Sequence, residues 1–160
     1  MIRDVDIEEA NRLIKYVEII NIAINNYFKN SKEGETEGKS RQWKLLSNYS
    51  KRMENMILSD GLTKSLLFAF SKAKIANIDE VIKGFDNKSI EYENSDSFRW
   101  AIMIGILVCE NFNRSTNILE VLKKLHDGGY GPIRVVESKL MLHLDILARL
   151  FESYSLEVKE

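Results

Sequence analysis

The adjacent residues His126 and Asp127 form the dipeptide that marks the metal site of one class of phosphohydrolases. Such a site needs further histidine and aspartate ligands from other helices, because several side chains must coordinate the same metal ion. The chain has two histidines, and the second, His143, lies in an apolar segment, where either packing at the edge of the core or a hydrogen-bonded side chain is expected. We therefore interpret Asp127 as the polar end of a helix before Gly128 and predict no catalytic metal.

The single cysteine, Cys109, is the other residue type that could carry chemistry. A reactive thiolate needs positive charge around it, whereas Cys109 ends an apolar run that begins at Trp100. This environment favours a buried, structural thiol. The sequence also contains no glycine-rich phosphate-binding loop and no nucleophile elbow. Together these features predict a protein that is not an enzyme and requires no cofactor.

Basic side chains are concentrated in one segment, although the formal net charge of the chain is only −1. Residues 39–74 contain eight Lys or Arg and two Asp or Glu, whereas residues 1–38 and 75–98 are predominantly acidic. A helix turns by about 100° per residue, so Trp43, Leu46, Met53 and Ile57 share one side. The opposite side carries only cationic and amide side chains: Arg41, Lys44, Asn48, Lys51, Arg52 and Asn55.

A helix face of one charge sign loses stability, because like charges repel where opposite charges at i, i+4 would attract. The face therefore favours an anionic partner, and phosphate groups are the first candidate. Phe68 extends the pattern on the next helix, because an aromatic ring flanked by Lys64 and Lys72 can stack a base. Two plainer interpretations stay open. The acidic stretches 33–37 and 91–96 would neutralise a solvated face, and Phe68 would pack on a neighbouring subunit or under a loop.

The apolar periodicity predicts that a single all-α domain, a compact bundle of about six helices over residues 1–160, positions these side chains. Helices are expected over residues 6–28, 40–58 and 62–74, with a short one over 75–85. Further helices are expected to start at Ser97, at Ser115 or Thr116, and at Pro132, with surface loops over 30–39 and 86–96. The apolar run after Trp100 is too short to span a bilayer. The run therefore predicts a central core helix and no contact with membranes. The lone cysteine, which would stay reduced, fits a cytoplasmic protein.

Two parts of the chain carry motifs that are specific enough to compare with a family. In the middle, a basic helix with a tyrosine leads through a turn to a short helix. The segments are LSNYSKRMENMI from Leu46, DGL from Asp60 and LLFAFSK from Leu66. Near the C-terminal end, Tyr130, Arg134 and Glu137 precede an apolar stripe that reaches Phe151. These segments resemble the small subunit of the Cmr-type (type III-B) CRISPR effector complex.

The resemblance implies an all-α, non-catalytic protein of antiviral defence, whose copies stack head to tail as a minor filament along other effector subunits. That filament lies beside the groove that holds guide RNA paired to target RNA. Phosphate contacts would fix the position of the RNA without reading its bases. Lys51, Arg52 and Lys72 fall within the matching segments. The predicted contact surface adds, from the face geometry alone, Arg41, Lys44, Asn48 and Lys64.

Two alternatives remain from the sequence. The small subunit of the related Csm-type complex is the nearest similar family. A protein of a different class, a helical adaptor whose basic face binds an acidic protein partner, would have the same charge pattern without any role for RNA.

Overall fold

The computed structural model describes residues 4–29 and 35–159, which form seven helices and no strand. The all-α prediction is therefore confirmed. The short helix expected from residue 75 is present, which makes the number seven rather than about six. The helices are α1 (Asp4–Phe28), α2 (Glu35–Asp60), α3 (Leu62–Ala73), α4 (Ile75–Asn87), α5 (Asp96–Asn111), α6 (Ile118–Asp127) and α7 (Ile133–Lys159).

The connections are shorter than the sequence predicted. α2 begins at Glu35, so a loop over 30–39 is wrong for residues 35–39, while residues 30–34 lie outside the described part. The early start has a physical reason, because Glu35 and Glu37 lie in the first turn, where the helix dipole stabilises carboxylates. α4 continues to Asn87, so the predicted loop 86–96 shrinks to residues 88–95. Tyr92 within that segment is buried, which the polar composition of the segment did not indicate.

Two helix starts also differ from the prediction. The side chain of Ser95, not Ser97, caps α5 by accepting a hydrogen bond from the backbone N–H of Phe98. α6 is capped by Asn117 rather than by Ser115 or Thr116. Serine and asparagine cap helices about equally well, so a run of such residues does not specify one of them.

α5 is the central helix of the bundle, as predicted. Its residues from Phe98 to Val108 are all buried, and it packs against α2, α3, α4 and α7. Gly105 permits the close approach of α4, because a Cβ atom at this position would lie 2.8 Å from the Val81 side chain. Within the described residues, no helix is long and apolar enough to cross a membrane.

α2 packs along α7, and this pairing determines which side of α2 faces solvent. The buried ring of Trp43 stacks on Tyr154, with 4.7 Å between ring centroids, and lies 5.9 Å from Phe151. The Ser47 hydroxyl donates a hydrogen bond of 2.8 Å to the carbonyl oxygen of Ala148, so the two helices are joined at short range. The apolar stripe predicted on α2 is buried in this interface and against α5. Its cationic side is therefore turned outward.

Candidate nucleic-acid interface

The outward side of α2 carries a row of exposed cationic and amide side chains, as the helical geometry predicted. At 1.5 Å per residue, the row extends about 16 Å along the helix axis. Tertiary packing constrains its orientation, because the opposite side of the same helix is fixed in the core. We call this row the basic ridge; it consists of Arg41, Lys44, Asn48, Lys51 and Arg52.

The cations of the basic ridge have few partners among the described residues. Lys51 alone takes part in an ion pair there, at 3.9 Å from Glu152 of α7. Glu35 pairs instead with Lys39 at 2.8 Å, and Asp96 accepts a hydrogen bond from Tyr49. In the described part of the chain, the two acidic stretches thus make no ion pair with the ridge. Within the described residues, neutralisation of the ridge by another helix is therefore limited to the Lys51–Glu152 pair.

On one flank of the ridge, α2 and α7 enclose a shallow notch of about 180 Å³. Two lysines seven residues apart stand on the α2 side, and one carboxylate of the described residues stands on the α7 side. Below them Ser155 is buried and hydrogen-bonded to Ser40, with 3.0 Å between the hydroxyl oxygens. This α2–α7 notch is lined by Lys44, Ser47, Asn48, Lys51, Glu152, Ser155 and Leu156.

On the other flank, the ridge continues onto α3 through an aromatic ring. The Arg52 guanidinium lies 5.3 Å from the centroid of the Phe68 ring, and the Lys72 ammonium lies 5.6 Å from it. The same ring meets Trp100 of α5 in an edge-to-face contact at 5.6 Å. Lys64 is exposed on α3 one turn before Phe68. The structure therefore brings Arg52 and Lys72 together, and the contacts of Phe68 favour packing within the chain over a free base-stacking platform.

A buried polar cluster lies beneath this flank, and the sequence did not predict it. Arg99 of α5, 8% exposed, donates hydrogen bonds to Gln42 at 3.0 Å and to Asn94 at 2.7 Å. Tyr92 donates a second hydrogen bond to the Gln42 oxygen. Burial raises the pKa of Tyr92 to about 12, so its hydroxyl is a neutral donor at physiological pH. The cluster attaches the segment 88–95 to α2 and so fixes the ridge relative to α5.

The ring of Tyr49 connects this cluster to the ridge. It stacks on Trp100 at 5.1 Å, and the Arg99 guanidinium lies 5.6 Å from its centroid. The signal for the cluster was present in the sequence, because a guanidinium inside an otherwise apolar run must find polar partners when it is buried. Two of those partners, Tyr49 and Gln42, are 50 or more positions away in the chain, whereas Asn94 is only five positions away.

A second buried network joins α1, α5 and α7 away from the basic ridge. His143 is fully buried, with Nε2 2.7 Å from a carboxylate oxygen of Glu9 and Nδ1 3.0 Å from Nδ2 of Asn111. Asn111 Nδ2 also donates to the carbonyl oxygen of Leu107, which orients the amide. Nδ1 of His143 must then accept, so Nε2 carries the proton. Burial lowers the pKa of His143, in agreement with a neutral ring. Of the two expectations for His143, the hydrogen-bonded side chain is the one confirmed.

The other residues with possible chemistry stand apart from each other. His126 and Asp127 are exposed at the end of α6. Between residues 4–29 and 35–159, no group of three or more His, Cys, Asp or Glu side chains is arranged to hold a metal ion. Cys109 is partly buried rather than fully buried. Burial raises the pKa of this thiol to about 11, although Arg114 lies 3.9 Å from the sulfur, so the group is protonated at physiological pH.

The comparisons with known proteins do not identify a family for this chain. No protein-family model, no curated protein and no solved structure matches the chain.

Proposed function

We propose that the protein is a non-catalytic small subunit of a type III-B (Cmr-type) CRISPR ribonucleoprotein effector complex. In this role it lines the groove that holds guide RNA and target RNA, beside copies of itself and other effector subunits. Its contribution is positional, because cationic side chains bind phosphates of any sequence. The motif segments around Lys51, Arg52 and Lys72 support the choice of family.

One observation carries the RNA-binding part of the proposal. The cations of the basic ridge and of α3 are exposed on adjoining helices. Of these cations, only Lys51 has a carboxylate partner among the described residues. A surface of one charge sign raises the local concentration of a polyanion and releases its counterions on binding. Contact with RNA offsets the repulsion between neighbouring cations on α2. The cationic members of this surface are Arg41, Lys44, Lys51, Arg52, Lys64 and Lys72.

The test is RNA binding by a variant in which Arg41, Lys44, Lys51 and Arg52 are all replaced by glutamine. At about 10 mM salt the Debye length is about 30 Å, so binding by a single subunit is measurable there. We expect the affinity for a single-stranded RNA of mixed sequence to fall about tenfold or more. The plot of log affinity against log salt becomes shallower by up to about 3, because up to four phosphate contacts are lost.

The matched control replaces four exposed lysines outside this surface by glutamine: Lys15, Lys83, Lys88 and Lys123. It changes the net charge by the same amount, so we expect it to bind much more tightly than the ridge variant. Equal losses in the two variants, or no RNA binding by the parent at low salt, contradict the proposal. Binding of an acidic protein in place of RNA, lost in the ridge variant alone, establishes the adaptor function instead.

A further inference from the structure

We infer that Glu152 of α7 attenuates RNA binding by the basic ridge, because its carboxylate competes with RNA phosphate for Lys51. This inference rests on the proposed function and assigns a regulatory role within the same surface. Glu152 is an exposed residue of the C-terminal half of α7, outside every motif segment that pointed to RNA.

The geometry distinguishes this carboxylate from the other acidic groups of the protein. Among the described residues, Glu152 is the one acidic residue that lines the α2–α7 notch, where Lys44 and Lys51 stand on the opposite wall. Its Oε2 lies 3.9 Å from Lys51 Nζ, and the two side chains are 56% and 52% exposed. A phosphate that enters the notch must therefore meet both lysines in the presence of this negative charge.

The two flanks of the ridge differ as a result. On the α3 flank, Arg52 and Lys72 lie over the Phe68 ring, and no carboxylate is paired with either cation within the described residues. On the α7 flank, the carboxylate repels phosphate and occupies Lys51. The arrangement directs a bound strand toward α3 and leaves Lys51 only partly available.

The strength of the effect follows from the exposure of the pair. An exposed ion pair is weak, so a phosphate can displace Glu152 from Lys51. Glu152 therefore reduces the affinity and does not prevent binding.

The experiment compares RNA affinity of the parent and of Glu152→Gln at low salt. We expect Glu152→Gln to bind about two- to fivefold more tightly, the range set by an exposed ion pair. The salt dependence becomes steeper by about 0.7, because Lys51 then makes a full contact with one more phosphate of a single strand. The matched control is Glu80→Gln, which removes one exposed carboxylate from α4.

A double-mutant cycle with Lys51→Gln separates competition from a general change in net charge. If Glu152 acts through Lys51, the gain from Glu152→Gln is larger in the parent than in the Lys51→Gln background. Equal gains in both backgrounds, or equal gains from Glu152→Gln and Glu80→Gln, overturn the inference and leave the proposed function intact. A parent protein that does not bind RNA overturns the proposed function and this inference with it.

Discussion

At the scale of single residues, Arg52 differs from the other cations of the ridge because two aromatic rings support it. Its guanidinium lies 5.3 Å from the Phe68 centroid and 5.8 Å from that of Trp100. A planar guanidinium stacks on rings better than an ammonium group does, and such a contact contributes about 0.5–1 kcal/mol at exposed sites. The rings hold one charge of the surface in place, so less side-chain entropy would be lost if a phosphate bound there, as the proposed function requires.

His143 shows how one buried side chain can set a pH dependence. Its ring is fixed in the neutral form, since Asn111 donates to Nδ1 and Nε2 donates to Glu9. Burial is the main cause that lowers the folded-state pKa of His143 below 6.5. Lys139 acts in the same direction, while Glu9 and Glu110 oppose it.

We therefore predict that His143 contributes a loss of stability in acid. As the pH falls below about 6.5, the unfolded chain takes up a proton at this site and the folded protein does not, so unfolding becomes more favourable. The stability that the neutral His143 ring provides is fully present above that pH. It declines by at most about 1.4 kcal/mol for each pH unit below it. Urea denaturation between pH 5 and 8 measures it.

The variant His143→Gln isolates this contribution, because it keeps a donor toward Glu9 and cannot titrate. We expect the variant to be less stable than the parent at pH 8 and the difference to narrow toward pH 5. A difference that stays constant, or that widens in acid, contradicts the assignment of a neutral His143.

The sequence predicted these residues unequally. The burial of Trp43 and the exposure of Lys44 follow from local helical periodicity alone. The partners of Arg99 and His143 do not, because Gln42 and Glu9 are 57 and 134 residues away in the chain. Such pairings depend on how the helices pack, and no local pattern encodes them. Phe68 was predicted to lie off the apolar stripe, whereas it is partly buried and packs against the core through Trp100, a contact that depends on the position of α5.

At the scale of helices, the turn between α2 and α3 determines how the two basic faces meet. Gly61 has φ 89° and ψ 166°, a conformation that is essentially restricted to glycine. Its N–H donates to the carbonyl oxygen of Ile57, and its own carbonyl oxygen accepts from the backbone and the hydroxyl of Ser65. The end of α2 and the start of α3 are thus joined by hydrogen bonds through one residue.

We predict that Gly61→Ala lowers the free energy of unfolding by about 1–3 kcal/mol, because a Cβ atom is strained in this backbone conformation. No neighbouring atom lies within 4 Å of the added Cβ, so the cost comes from the backbone alone. Chemical denaturation measures it. Gly129→Ala is the matched control, because Gly129 lacks a positive φ and meets Lys124 atoms only at 3.4 Å or more. Equal stabilities of the two variants contradict this account of the turn.

Helix starts were harder to predict than this turn. The DGL segment allowed one break, so α3 begins at Leu62 as predicted. Before α6, by contrast, Ser115, Thr116 and Asn117 can each cap a helix, and the observed cap is Asn117.

At the scale of the whole molecule, charge is separated although the net charge is near zero. The basic ridge faces outward on α2. The opposite side of α2 packs along α7 and against the central helix α5. Under the proposed function, this outward-facing cationic surface would bind RNA phosphates. A filament of such subunits would bind one RNA tightly through many weak contacts, because each further contact with the same RNA is intramolecular.

The most direct test of this account is purification of a tagged copy from native cells at moderate salt, with identification of the RNA and protein that elute. We predict a large ribonucleoprotein with short guide RNAs, several copies of this chain and other effector subunits. The variant with glutamine at Arg41, Lys44, Lys51 and Arg52 is expected to retain less RNA. Recovery of the tagged parent alone, or with a protein partner and no RNA, would contradict the assignment to an RNA-guided complex.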